Sequence, residues 1–417
     1  MFVAGSLPHT APISAAAVPS TPLGPFEDSA IAWTTWATLM GFAGLVALAL
    51  MLGPPARRIG PGTLAATTAR LARLARAAAL LGALAVPAAL TDLAHDASEG
   101  GGFDYGQAWN SLYDGSNTGR LYGLEVTLSL AGAALIAPLG LRAVASGRAR
   151  RWLLGGGLAA GVVALGTTKF PDEVPDEWGR TSIETAAWML HLLGGSVWLG
   201  GLAGLLLLAL PGAIAQPDRG SFWYPAIRRF SAAAMTCVAA IALSGLFLYW
   251  EHVDGPTQLF TTMYGRVLGV KILIFGTLLL LGSVNQFWLH PRIDALRAAG
   301  DDRPLRTILT RRFPALVAVE VLLGLTVLMV APFLHGSARN QAFQAHLARH
   351  ATTATTTLPK IPMKQVSAST WIYGSIETVA VVVIMIAGYQ ASGRIARRRA
   401  ASATAPAGDT GAVLPAG

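Results

Sequence analysis

Nine stretches of about 20 mostly apolar residues are spaced through this 417-residue chain, and they limit its fold more than any other feature. A helix rises 1.5 Å per residue, so about 20 residues cross a hydrocarbon core roughly 30 Å thick. The stretches predict spans at 30–52, 71–91, 121–145, 151–169, 183–212, 230–250, 264–289, 313–335 and 369–391. Composition agrees: charged residues are 13% of the chain, against roughly 25% in soluble domains, and mean hydropathy is +0.51. The expected fold is all-α, a polytopic transmembrane helix bundle of about nine helices in contact with the lipid bilayer. Gly157-x-x-x-Gly161 and Gly200-x-x-x-Gly204 have the spacing that lets membrane helices approach closely.

A net charge of +9 would suit nucleic acid, but its distribution points to topology instead. When loops are assigned to alternate sides, one set holds 22 Lys/Arg and 5 Asp/Glu, and the other holds 8 and 14. The positive-inside rule makes the first set cytoplasmic, with the N-terminus outside and the C-terminus in the cytoplasm. No nucleic-acid partner is expected. The single cysteine, Cys237, excludes an intramolecular disulfide. Residues 1–29 lack the basic and apolar regions of a signal peptide and are expected to be a disordered extracytoplasmic tail.

The expected organisation is a four-helix membrane region at 30–169 and a second at 183–335. An extracytoplasmic His-containing segment at 336–368, a ninth span at 369–391 and a disordered cytoplasmic tail at 392–417 follow. There is no P-loop, no His-Glu-x-x-His and no Gly-x-Ser-x-Gly, so ATP-driven pumping and hydrolysis of the soluble type lack their machinery. No catalytic residue is assigned.

Histidine placement carries the most chemistry. His9, His95, His252, His335, His346 and His350 fall on the outer side, His191 lies within a span, and His290 is at the inner face. Neutral imidazole suits copper and zinc. His346 and His350 share one helical face at i, i+4, and His95 sits beside Asp92, Asp96 and Glu99. The alternative is that histidines simply tolerate polar loops. Charged residues inside spans are functional candidates by default. Glu125, Lys271 and Glu377 form a candidate buried polar layer with His191, and Lys271 is expected to pair with Glu125 or Glu377. Nearer the inner face, Arg229, Ser231, Asn285 and Glu320 suggest an Arg–Glu pair closing the bundle. Met189, Met235, Met263 and Cys237 are soft donors, though methionine in an apolar helix is usually core.

An ordered series runs through residues 183–335. It begins with His191-Leu-Leu-Gly-Gly-Ser-Val-Trp198-Leu-Gly-Gly201, Arg229-Phe230-Ser231 and Ser244-Gly245. Thr262-Met-Tyr264-Gly265-Arg266 and Lys271 follow, then Asn285 before Leu289-His290-Pro291, and Arg312-Phe313 through Glu320 with Leu323-Gly324. The series resembles the copper resistance D family of bacterial inner-membrane proteins. That resemblance implies a multi-pass protein in copper uptake or copper handling, often beside a separate extracytoplasmic copper-binding protein. Its family-pattern positions here are His191, Trp198, Arg229, Tyr264, Arg266, Lys271, Asn285 and Glu320. Gln286 stands where a basic residue is expected. The implied function is copper uptake, with outer histidines and acidic loops collecting the ion and the buried polar layer passing it inward. Two alternatives remain. The His191–Gly201 helix also looks like those of small four-helix haem-binding membrane proteins, which would make haem the cofactor. The third reading is an assembly partner for a copper-containing oxidase.

Overall fold

After Asp28, the first span carries no charge and is apolar on every side, the pattern of a helix enclosed by neighbours. In the computed structural model this helix, α1 (Phe26–Leu52), lies at the centre of the bundle. It packs on α2 (Pro61–Ala97), α6 (Arg150–Thr167) and α7 (Trp178–Ala209), and Leu39, Phe42 and Leu48 are fully buried. The structure describes residues 26–52, 61–98, 102–171, 173–175, 177–210, 219–284, 312–334, 336–350 and 364–404.

The other helices, in chain order, are α3 (Tyr105–Ser111), α4 (Asn117–Ile136), α5 (Arg142–Ala145), α8 (Arg219–His252) and α9 (Gln258–Thr261). Then come α10 (Met263–Val284), α11 (Arg312–Val330), α12 (Ala338–His350) and α13 (Ala368–Thr404). Helices α2, α4 and α6 pack in sequence around one side of α1, and α7 carries α8 on the other. Helix α10 packs on α11, which reaches α7 and α1, so α1 contacts both of the expected four-helix parts. Helix α13 packs on α8 and on little else.

Among the described residues, eight helices are long and apolar enough to cross a membrane, so the chain is a multi-pass all-α membrane protein. They coincide with eight of the nine expected spans. The other, 151–169, is α6, an 18-residue helix. It opens on Arg150 and Arg151, is rich in glycine, and at about 27 Å falls just short of the hydrocarbon thickness.

Some boundaries also differ. Helix α1 starts at Phe26, with Glu27 and Asp28 in its first turn, where carboxylates complement the exposed amides. Helix α13 runs to Thr404, because Ala and Arg in 394–402 are good helix formers. Residues 1–25, 351–363 and 405–417 lie outside the described residues.

Glycine decides how closely α1 can be surrounded. A Cβ at Gly82, Gly132 or Gly161 would lie 3.1, 2.8 or 2.8 Å from the Phe42 ring, so α2, α4 and α6 each yield space to that one side chain. Across the other face, a Cβ on Gly44 would overlap the Ser196 carbonyl, and one on Gly200 would lie 2.7 Å from the Gly44 Cα. Gly204 faces Leu45 and Leu48 in the same way. The Gly200-x-x-x-Gly204 face therefore sets the α1–α7 crossing.

Candidate functional site

Helical spacing of i, i+7 puts two side chains on one face, two turns apart. His191 and Trp198 on α7, Gly245 and His252 on α8, and Tyr264 and Lys271 on α10 all have this spacing. The three faces converge, together with α1 and α11, on a cavity of about 740 Å³. Six residues expected from the sequence line it: His191, Trp198, His252, Tyr264, Lys271 and Glu320.

The Ser244-Gly245 pair builds the pocket for His191. Ser244 Oγ donates to the Ala240 carbonyl at 2.6 Å. It therefore accepts from His191 Nδ1 at 3.1 Å, which leaves the lone pair on Nε2. Gly245 lies against the ring, where a Cβ would make ordinary contact at 3.5 Å from His191 Cε1. At the C-terminal end of α8, His252 Nδ1 donates to the Leu248 carbonyl at 2.8 Å, so its lone pair is also on Nε2. The His252 ring stacks on Tyr264, with centroids 5.9 Å apart and planes at 6°. Trp198 meets Phe275 edge-on at 6.1 Å. The end of Met40 lies over Gly195, one turn along α7 from His191, where a Cβ would be 2.8 Å away.

A polar network covers the end of the cavity where α8 finishes and α10 begins. The Tyr264 amide donates to Gln341 Oε1 at 2.9 Å, fixing α12 over the start of α10. Lys364 Nζ donates to the Trp250 and Val253 carbonyls at 2.9 and 3.0 Å, satisfying the C-terminus of α8. Arg180 bonds Glu251 and the Lys364 carbonyl, and Arg339 bonds Asp254 at 2.8 Å.

Several expected pairings do not form. Lys271 forms no ion pair among the described residues. Glu125 is buried on α4, on the far side of α1, and its electrostatic neighbour is Asp92. Glu377 is exposed on α13, beside Tyr249. Similar depth along separate helices put these groups at one level, but the order of helices around α1 keeps them apart. The Arg229–Glu320 pair is also absent: Arg229 is exposed, while Glu320 is buried with Oε1 unbonded among the described residues. Arg266 is exposed at the start of α10 and bonds the Phe260 carbonyl at 3.0 Å.

His95 lies outside the cavity. Its Nε2 meets Asp28 Oδ1 at 2.6 Å and its Nδ1 faces the Gly102 carbonyl at 3.3 Å. Both nitrogens are engaged with oxygen acceptors, and the Asp28 pair takes the one a metal would need. His346 is exposed on α12, and the backbone of His350 lies one turn further along the same helix. His335 and Asn285 lie outside the described residues. No group of three or more His, Cys, Asp or Glu able to hold a metal occurs among the described residues.

Glu125 belongs to a second polar group, in which Tyr122 donates to Asp92 at 2.9 Å. Glu125 Oε1 has no hydrogen-bond partner among the described residues. Replacing it removes a group that is costly to bury, so the thermal midpoint of Glu125→Gln in detergent is expected to match or exceed the parent's. Combined with Lys271→Met, its effect should be additive to within about 0.5 kcal/mol, as for separated sites. A stabilising interaction clearly above that value would restore the pairing.

Sequence reasoning passed over Met40, Lys169, Trp36 and Trp188, all of which line the cavity. Met40 was hidden in an uninterrupted apolar run. Met189, which the sequence offered instead, packs on Gly166.

Comparison with known proteins finds one family model and two relatives named for copper. The family model of copper resistance protein D matches residues 224–334. The copper transport protein CutJ of Bacillus subtilis (strain 168) is 41% identical over 96 residues, 23% of this chain and 17% of that protein. Copper resistance protein D of Pseudomonas syringae pv. tomato is 29% identical over 203 residues, 47% of this chain and 63% of that protein. The chain thus spans less than two thirds of the length of either relative. No solved structure matches.

Proposed function

We propose that this chain, which belongs to the copper resistance D family through residues 224–334, handles copper inside the membrane by binding the ion in the α7–α8–α10 cavity. The observation that carries this reading is the pair His191 and His252, both lining the cavity and both with Nδ1 tied to α8, so that each keeps an Nε2 lone pair. Imidazole nitrogen and the Met40 thioether are donors suited to copper. His252, His191 and Met40 follow one another along the cavity, and stations of few ligands suit cargo, because a transported ion must leave as readily as it enters. Glu320, with its unbonded Oε1, is the next acceptor toward the inner end. In this account His346 and His350 collect the ion outside, and a separate extracytoplasmic copper-binding protein delivers it. The direct test is copper bound per chain in the purified parent and in His252→Ala, with the variant expected to retain less.

Inward movement requires the orientation set by the charge distribution, with 292–312 and the tail after 392 in the cytoplasm. In a Cys237→Ala background, Tyr105→Cys and Thr355→Cys should react with an impermeant maleimide added to intact cells. Gly300→Cys should react only after lysis, and labelling of it in intact cells would reverse the orientation.

His191 in a cavity of about 740 Å³ also suits a haem group held through one imidazole. A Soret band that disappears in His191→Ala would favour that function over copper handling.

A further inference from the structure

The cavity holds more positive charge than its own side chains balance. Lys169 and Lys271 both line it. Lys169 Nζ stands 5.0 Å from the Trp36 ring centroid and 4.7 Å from that of Trp188. Neither lysine forms an ion pair among the described residues. The electrostatic neighbour of Lys271 is Lys169, a like charge, and Lys271 is in turn a neighbour of His191. Glu184 is a neighbour of Lys169 but does not reach the cavity wall. Glu320, the wall's one carboxylate among the described residues, is not a neighbour of Lys271. Two ammonium groups facing one low-dielectric space need a counter-charge. Most of the remaining wall is aromatic or aliphatic, with Trp198, Phe275 and Leu278 among it.

The cavity is least enclosed between α8 and α10, two of the helices long and apolar enough to cross a membrane. Helix α10 packs on α11, and α8 packs on α7, but α8 and α10 make at most marginal contact with each other. Helix α13 packs mainly on α8 and contributes Val381 to the wall at the edge of this gap. Along this flank Ile272 of α10, which also lines the cavity, is exposed. An occupant can therefore enter sideways from lipid without crossing the polar network around Lys364.

We propose that the cavity binds an anionic amphiphile taken from the bilayer, with its phosphate head on Lys271 and Lys169 and its acyl chain leaving between α8 and α10. The head supplies the charge that the wall lacks, and the aromatic surface takes the first part of the chain. The site stands without the copper reading. With it, the same head would offset the two lysines while a cation sits at His191.

The test uses the full chain purified in detergent. Phosphatidylglycerol and phosphatidylcholine of identical acyl chains are offered in equal amounts, and retained lipid is read by native mass spectrometry. Preference for phosphatidylglycerol by roughly tenfold, about 1.4 kcal/mol, is expected for one bound molecule, unchanged by millimolar sodium phosphate. The preference should vanish in Lys169→Gln/Lys271→Gln and persist in Lys271→Arg. Equal retention of the two lipids by the parent overturns the proposal, even if the variants do not fold. So does displacement by inorganic phosphate, which would mark a site for free anions, or an unaltered preference in the double Gln variant. Copper content is read separately on the same samples, so failure of this site and failure of the copper reading are distinguishable.

Discussion

His191→Ala is expected to abolish copper accumulation at limiting external copper while leaving the amount of folded protein unchanged. His191 lines the cavity from the middle of α7, and Ser244 and Gly245 are arranged around its ring. Losing an outer partner of a ligating imidazole already weakens metal binding 10–100-fold as a rule of thumb. Deleting the imidazole itself should weaken it by at least about 100-fold, and Ser244→Ala should fall within the lower range. His346→Ala with His350→Ala should behave differently, slowing accumulation only when copper is scarce. The measurement is cellular copper at several external concentrations, normalised to protein level. A His191→Ala chain that accumulates copper like the parent would overturn the mechanism.

Gly200→Leu should have the largest effect on the fold. At this crossing the α1 and α7 backbones are in contact, with no side chain between them that could shift. Overpacking usually costs about 1–3 kcal/mol when side chains can rearrange. Here backbone meets backbone, so a value at or above the top of that range is expected, seen as loss of the monodisperse peak or a sharply lowered thermal midpoint. Gly155→Ala is the matched control, because nothing lies within 4 Å of its added Cβ. It should stay within about 0.5 kcal/mol of the parent. Equal behaviour of the two variants would contradict the close α1–α7 crossing.

What the sequence made legible follows from periodicity. Apolar length located the helices because bilayer thickness fixes it, and 151–169 was found as a helix, α6, that is too short and too basic at its start to count as a span among the described residues. His191, Trp198, Tyr264, Lys271 and Glu320 reached one cavity because i, i+7 spacing and family order carry information about faces. The pairings were not legible. Depth along a helix gives a level but not a position around the bundle, so Glu125 was assigned to Lys271 although α1 stands between their helices. Arg229 faces outward for the same reason. Met40 could not be found, since an apolar helix enclosed on all sides gives no signal of which face meets a cavity. The lysine pair was also hidden, because Lys169 lies at the end of α6, over 100 positions from Lys271 in sequence.

The central claim, that copper sits on imidazole nitrogen inside the membrane cavity, is tested most directly by X-ray absorption on the purified chain loaded with copper and freed of excess. The account predicts tightly bound copper with nitrogen neighbours and an imidazole outer-shell pattern, lost in His191→Ala and reduced in His252→Ala. Copper that binds with the same imidazole pattern in His191→Ala/His252→Ala, or a parent chain that retains no copper, would contradict it.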